Sequence, residues 1–110
     1  MDQKALARVR MNLRLKDVEV VSGPIGLGLG LMFRKRPAMG YGMLFEMHYT
    51  ARHGIWMLFM RFPIDIFFIA ADGKIIETKR NVPPLRLAKP STWRTYKPKE
   101  PCRYVVEVAS

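Results

Sequence analysis

The sequence predicts a mainly β domain: a small β-sandwich or barrel-like unit, α+β at most, with one short helix. Three observations carry this prediction. Apolar residues fall in short, strand-length runs. Glycine and proline, eight of each, punctuate those runs. The most apolar stretch, residues 55–71, is broken by Arg61, Pro63 and Asp65 into two strand-length pieces. Many short strands joined by Gly/Pro turns read as a sandwich or barrel rather than a helical bundle.

Each element follows in order. Residues 8–16 alternate, with Val9, Met11, Leu13 and Leu15 facing one way and mostly basic residues facing the other. This pattern predicts a half-buried strand with a basic outer face. The phase slips at Asp17, where Val18 and Val20 become the apolar set, so a turn, bulge or new strand is expected there. Residues 22–34 predict a short helix, with Ser22 as cap and Pro24 in the first turn. Gly26, Gly28 and Gly30 weaken it by about 1 kcal/mol each relative to alanine. Residues 35–42 read as loop, 41–47 as strand and 48–54 as a polar connection. Residues 55–60 and 64–70 are two further strands, the second apolar on both faces apart from Asp65 and therefore central. Asp72-Gly73 is a hairpin turn leading into 74–78. Residues 82–101 carry five prolines and read as mostly irregular, with a short strand near 93–96. Residues 103–109 form the final strand.

The motifs Gly30-Leu31-Met32-Phe33-Arg34, Gly42-Met43-Leu44-Phe45, Trp56-Met57, Pro63-Ile64-Asp65-Ile66-Phe67-Phe68 and Tyr104-Val105-Val106-Glu107-Val108 occur in that order. Together they resemble the family known as domain of unknown function 192, a small β-rich family of bacteria and archaea. The resemblance covers about residues 18–108. It implies a sandwich-like fold with a short helix ending near Gly30, and it implies no established activity. The chain departs from the family in having Leu58, Phe59 and Met60 after the Trp-Met pair, where many members are polar. It also stops at Ser110, whereas many members continue, so the resemblance implies a further edge strand that this sequence does not include.

The chain has 110 residues, enough for one domain over 1–110 whose core needs no metal or disulfide staple. A single cysteine, Cys102, and an N-terminus without the apolar core of a signal peptide predict a cytoplasmic protein. No membrane span is expected, because charges and a proline interrupt the longest apolar stretch. Nineteen Lys and Arg against nine Asp and Glu give a net charge of +10. Such a surface attracts polyanions, which favours a nucleic acid, an anionic membrane face or an anionic small ligand as partner. A dispersed charge that serves solubility alone is the plainer alternative.

Five residues form the candidate ligand-binding set: Arg34, Trp56, Arg61, Asp65 and Glu107. Asp65 shares a strand face with Phe67 and Ile69, where a carboxylate is costly unless paired or well hydrogen-bonded. Arg34 and Arg61 are its expected cationic partners, and the Trp56 indole is a donor. Asp65 reads either as a structural ion pair or loop cap, or as a ligand-binding or acid/base carboxylate. With Glu107 it would make a carboxylate pair suited to hydrolysis, although an edge-strand glutamate facing water is the simpler reading of Glu107. Trp56 itself reads as a core residue, and Trp93 as packing for the proline-rich loop. His48 and His53 match no zinc spacing, so no metal or cofactor is expected. Cys102 reads as an inert, half-buried thiol. The functions these residues allow are a binding or accessory module for an anionic ligand or partner, a nucleic-acid-binding protein, and a hydrolase-type enzyme using Asp65 with Glu107 or a histidine. Oligomeric state is not set by any of these features.

Overall fold

The computed structural model describes residues 2–22, 35–57, 60–92 and 94–110. In chain order the elements are helix α1 (Gln3–Asn12), strands β1 (Asp17–Val21), β2 (Tyr41–Ala51), β3 (Ile55–Trp56), β4 (Ile64–Ile69) and β5 (Ile75–Val82), a 3-10 turn (Pro90–Thr92), and strands β6 (Thr95–Tyr96) and β7 (Cys102–Ala109). Among the described residues the fold is mainly β with one helix, the fold class the sequence predicts. The helix predicted within 22–34 lies almost wholly outside the described residues, as does Trp93.

The helix that is described replaces the strand expected over 8–16. Asp2 caps it, its Oδ1 accepting from the Ala5 amide at 2.7 Å. The segment is built of good helix formers, with one β-branched residue, Val9. The apolar alternation is real but is not what is buried. Ala5 and Val9, four residues apart, point into the core, whereas Met11 is exposed. Leu6 and Leu13 extend the same face as half-buried packing. Arg14, in the left-handed region at φ 54°, ends the helix and turns the chain into β1.

Five strands form one mixed sheet in the order β1-β2-β7-β4-β5. The β1–β2 pair is parallel and the other three pairs are antiparallel. No barrel closes among the described strands. The strand order makes β7 the middle of the sheet and β4 an interior strand covered on both faces, as the apolar pattern of 64–70 predicts. The Asp72-Gly73 turn forms as expected: Asp72 Oδ1 accepts from the Lys74 amide at 2.9 Å, and Gly73 takes φ 90°. A Cβ at Gly73 would also stand 2.8 Å from the Ala5 carbonyl oxygen, so this turn packs closely against α1.

Each face of the sheet has its own core. One face carries Leu44, Phe67, Ile69, Tyr104 and Val106 and is covered by Val9 and Leu15. The other carries Met43, Phe45, Ile64, Ile66, Phe68 and Val105. It is covered by Met57, Met60, Phe62, Val82 and Tyr96. These come from the connection after β3, the end of β5 and strand β6. Strands β3 and β6 pair as a separate two-residue ribbon, Ile55 opposite Tyr96 and Trp56 opposite Thr95. Of the strand expected over 55–60, Ile55–Trp56 is regular and Met57 and Met60 are not, while residues 58 and 59 lie outside the described residues. Among the described residues no helix is long and apolar enough to cross a membrane.

Candidate functional site

Asp65 is explained by a β-bulge. Ile64 pairs with Val82, but Ile66 pairs with Lys79, so Arg80 and Asn81 both stand opposite Asp65. Asn81 takes φ 50°, which leaves its amide aimed at the carboxylate. Asp65 Oδ1 accepts from the Asn81 amide at 2.8 Å and from Ser110 Oγ at 2.9 Å. Oδ2 accepts from Arg80 Nη1 at 3.2 Å. The Arg80 guanidinium also lies 5.5 Å above the Phe67 ring, bridging the carboxylate to the core. The cationic partner is therefore Arg80, not Arg61, which is exposed. Trp56 does not reach Asp65 either: its ribbon covers the other face of the sheet. Arg34 lies outside the described residues.

Glu107 occupies a different setting from the one expected. β7 is the central strand, not an edge, and Glu107 stands between Met43 on β2 and Ile66 on β4. It is only 5% exposed and makes no hydrogen bond or ion pair with another described residue. Burial pushes its carboxyl up to about 7. The pairing of Asp65 with Val108 and of Ile66 with Glu107 puts the two carboxylates on adjacent strands but on opposite faces. The anticipated Asp65–Glu107 pair does not form. Nor do the histidines complete an acid/base set: His53 Nε2 bonds the Tyr49 carbonyl at 2.7 Å, and His48 is exposed. No group of three His, Cys, Asp or Glu that could hold a metal occurs among the described residues. Cys102 is fully buried, and burial raises its thiol, which keeps it protonated and inert. A cavity of about 300 Å³ lies between residues 36–40 and the end of β7, with Arg36 among its described walls. None of the four described candidate residues, Trp56, Arg61, Asp65 and Glu107, lines it.

The structure assembles instead a surface that composition alone does not reveal. Ile55 and Tyr96 turn inward, so alternation turns Trp56 outward beside Thr95, and its side chain is 52% exposed rather than buried in the core. Gly54 and Lys97 lie on the same outer face. A Cβ at Gly54 would collide with Thr95 Cγ2 and press Lys97 Cγ at 3.2 Å, so the bare glycine leaves room for both side chains to lie over it. Arg94 stacks on Tyr96 at 4.9 Å. Arg52 Nε donates to the Pro98 carbonyl at 2.8 Å, tying the two sides of the ribbon together. Tyr49, also strongly exposed, packs on His53 at the ribbon's base. The ribbon joins residues 47–64 to residues 78–99, and neither segment contains an Asp or Glu. Between them they carry nine of the nineteen Lys and Arg. The missed signal was present in the sequence as two separate acid-free windows, but only the β3–β6 pairing makes them one surface.

Comparison with known proteins places the chain. Residues 6–110 match the family model of domain of unknown function 192, described as "Uncharacterized ACR". The chain belongs to this family. The "UPF0127 protein PF1050" of Pyrococcus furiosus is 38% identical over 81 residues, 72% of this chain and 60% of that protein. The chain thus spans about three-fifths of that relative's length. A "putative transcription regulator" of Sinorhizobium meliloti 1021 superposes with a TM-score of 0.75 at 32% identity, over 84% of this chain and 67% of that one. A protein of unknown function from Novosphingobium aromaticivorans shares the fold, with a TM-score of 0.74 at 22% identity over 84% of this chain and 62% of that one.

Proposed function

We propose that this domain is a small binding module for an anionic ligand or partner, engaged through the basic lobe around β3 and β6. The observation that carries the reading is the way charges are sorted. Four of the nine acidic side chains hold backbone amides of the fold: Asp2 caps α1, Asp65 holds the β5 bulge, Asp72 the hairpin turn, and Glu77 the Lys99 amide. The lobe keeps exposed cations at Arg52, Arg61, Arg94 and Lys97 with no acid in its own segments. Such a field concentrates polyanions and speeds their encounter. The buried, unpaired Cys102 suits a cytoplasmic setting, where thiols stay reduced.

A nucleic acid is the second reading of that partner. The Sinorhizobium meliloti relative is named for transcription regulation, and an exposed aromatic set among cations is the surface that unpaired bases use. The test is retention on heparin as a function of salt. Arg94→Glu with Lys97→Glu should elute at clearly lower salt than the unaltered chain. The same reversal at Lys4 and Arg14, exposed on and just after α1, should shift elution less. Equal shifts from both pairs would leave only a nonspecific charge and remove the lobe from the argument.

A further inference from the structure

We infer that the outer face of the β3–β6 ribbon is a stacking platform for an unpaired base of single-stranded nucleic acid, with Trp56 as the stacking residue. The inference rests on the anionic-partner reading above and names the partner's chemical class. A tryptophan is among the most rewarding side chains to bury, yet Trp56 is 52% exposed while its neighbours Ile55 and Tyr96 supply the packing. The fold gains little from the indole where it stands.

Its surroundings fit one occupant. Thr95 stands directly across the ribbon from Trp56. Lys97, held low over Gly54, places an ammonium on the same face. Arg94, exposed and next in sequence to Thr95, stacks on the inward-turned Tyr96 and adds positive charge at the ribbon's edge. An indole face takes any base, and flanking cations take the phosphates on either side of it. A duplex hides its base faces in the stack, so it can satisfy the cations but not Trp56. A simple polyanion such as heparin likewise leaves the indole unused.

The test compares two labelled strands of equal length and charge by fluorescence anisotropy at low salt, using the full chain. One is an oligothymidylate, the other an abasic strand with the same phosphates. The unaltered protein should bind the oligothymidylate tighter by about tenfold, within the range expected of one stacked base. Trp56→Ala should abolish that preference, Trp56→Phe should keep most of it, and Lys97→Ala should weaken both strands alike. Equal binding of the two strands overturns the inference and leaves the anionic-partner reading standing. Tighter binding of a duplex than of the single strand also overturns it. Binding of neither strand overturns both readings. The strand comparison uses the unaltered chain, so it does not depend on any variant folding.

Discussion

Asp65 and Glu107 sit one residue out of register on adjacent strands, and the sheet treats them in opposite ways. At the bulged end of β4, three donors converge on Asp65. In the middle of β7, Met43 and Ile66 flank Glu107 and no described donor reaches it. The difference shows that the cost of a carboxylate within a sheet depends on the local backbone. A bulge frees an amide to meet the charge, whereas a regular ladder spends every amide on its neighbour strand. The N-cap Asp2 lies between these extremes, with one backbone donor.

The largest expected effect is at Glu107. Its folded-state pKa of about 7 lies above the ordinary value of 4.5, so the folded chain binds the extra proton between those values. Stability from this group is therefore highest below pH 4.5, falls as pH rises, and levels off above about 7. The loss is on the order of 3 kcal/mol. Glu107→Met should remove this slope and be the more stable chain at pH 8, as read by urea unfolding at pH 5 and pH 8. An unchanged slope would mean that a donor reaches Glu107 after all, and the contrast with Asp65 would disappear.

Asp65→Ala comes next. It orphans the Asn81 amide and frees Arg80, at a cost of about 2 kcal/mol in urea unfolding at neutral pH. Asp65→Asn, which keeps an acceptor for the Asn81 amide, should cost less. A neutral Asp65→Ala would break the comparison from the other side. The smallest effect is Asp2→Ala, a lost helix cap worth about 1 kcal/mol. It should appear first as faster amide exchange near Ala5.

The sequence made Asp65 conspicuous because its face is shared with Phe67 and Ile69, and the structure confirms that face. The identity of its partner was not legible, because the bulge that delivers Arg80 and Asn81 depends on how β4 and β5 register. Glu107 was misjudged for a topological reason: a final strand reads as an edge until the strand order puts it in the middle. Helix α1 was misread because Val9, Met11, Leu13 and Leu15 alternate as a strand would. The Asp2 cap and the Ala5–Val9 spacing were the better guides. Trp56 reads as core in any apolar run, and only the inward turn of its two ribbon neighbours shows which way it must face. The hairpin turn at Asp72-Gly73 and the strand near Thr95 were legible because local turn chemistry and β-propensity are enough to set them.

The position of β7 has a consequence for how this chain acquires its shape. Strands β2 and β4 are not neighbours; each hydrogen-bonds to the segment 102–109 between them. On a ribosome, every earlier strand emerges before the one that joins the two halves of the sheet. Until then β2 and β4 have unpaired inner edges, and the two cores have no common wall. Assembly must wait for a segment distant in sequence, the kind of long-range closure that slows folding and prolongs exposure of sticky intermediates. The strong positive charge would, during that interval, also keep half-made chains apart.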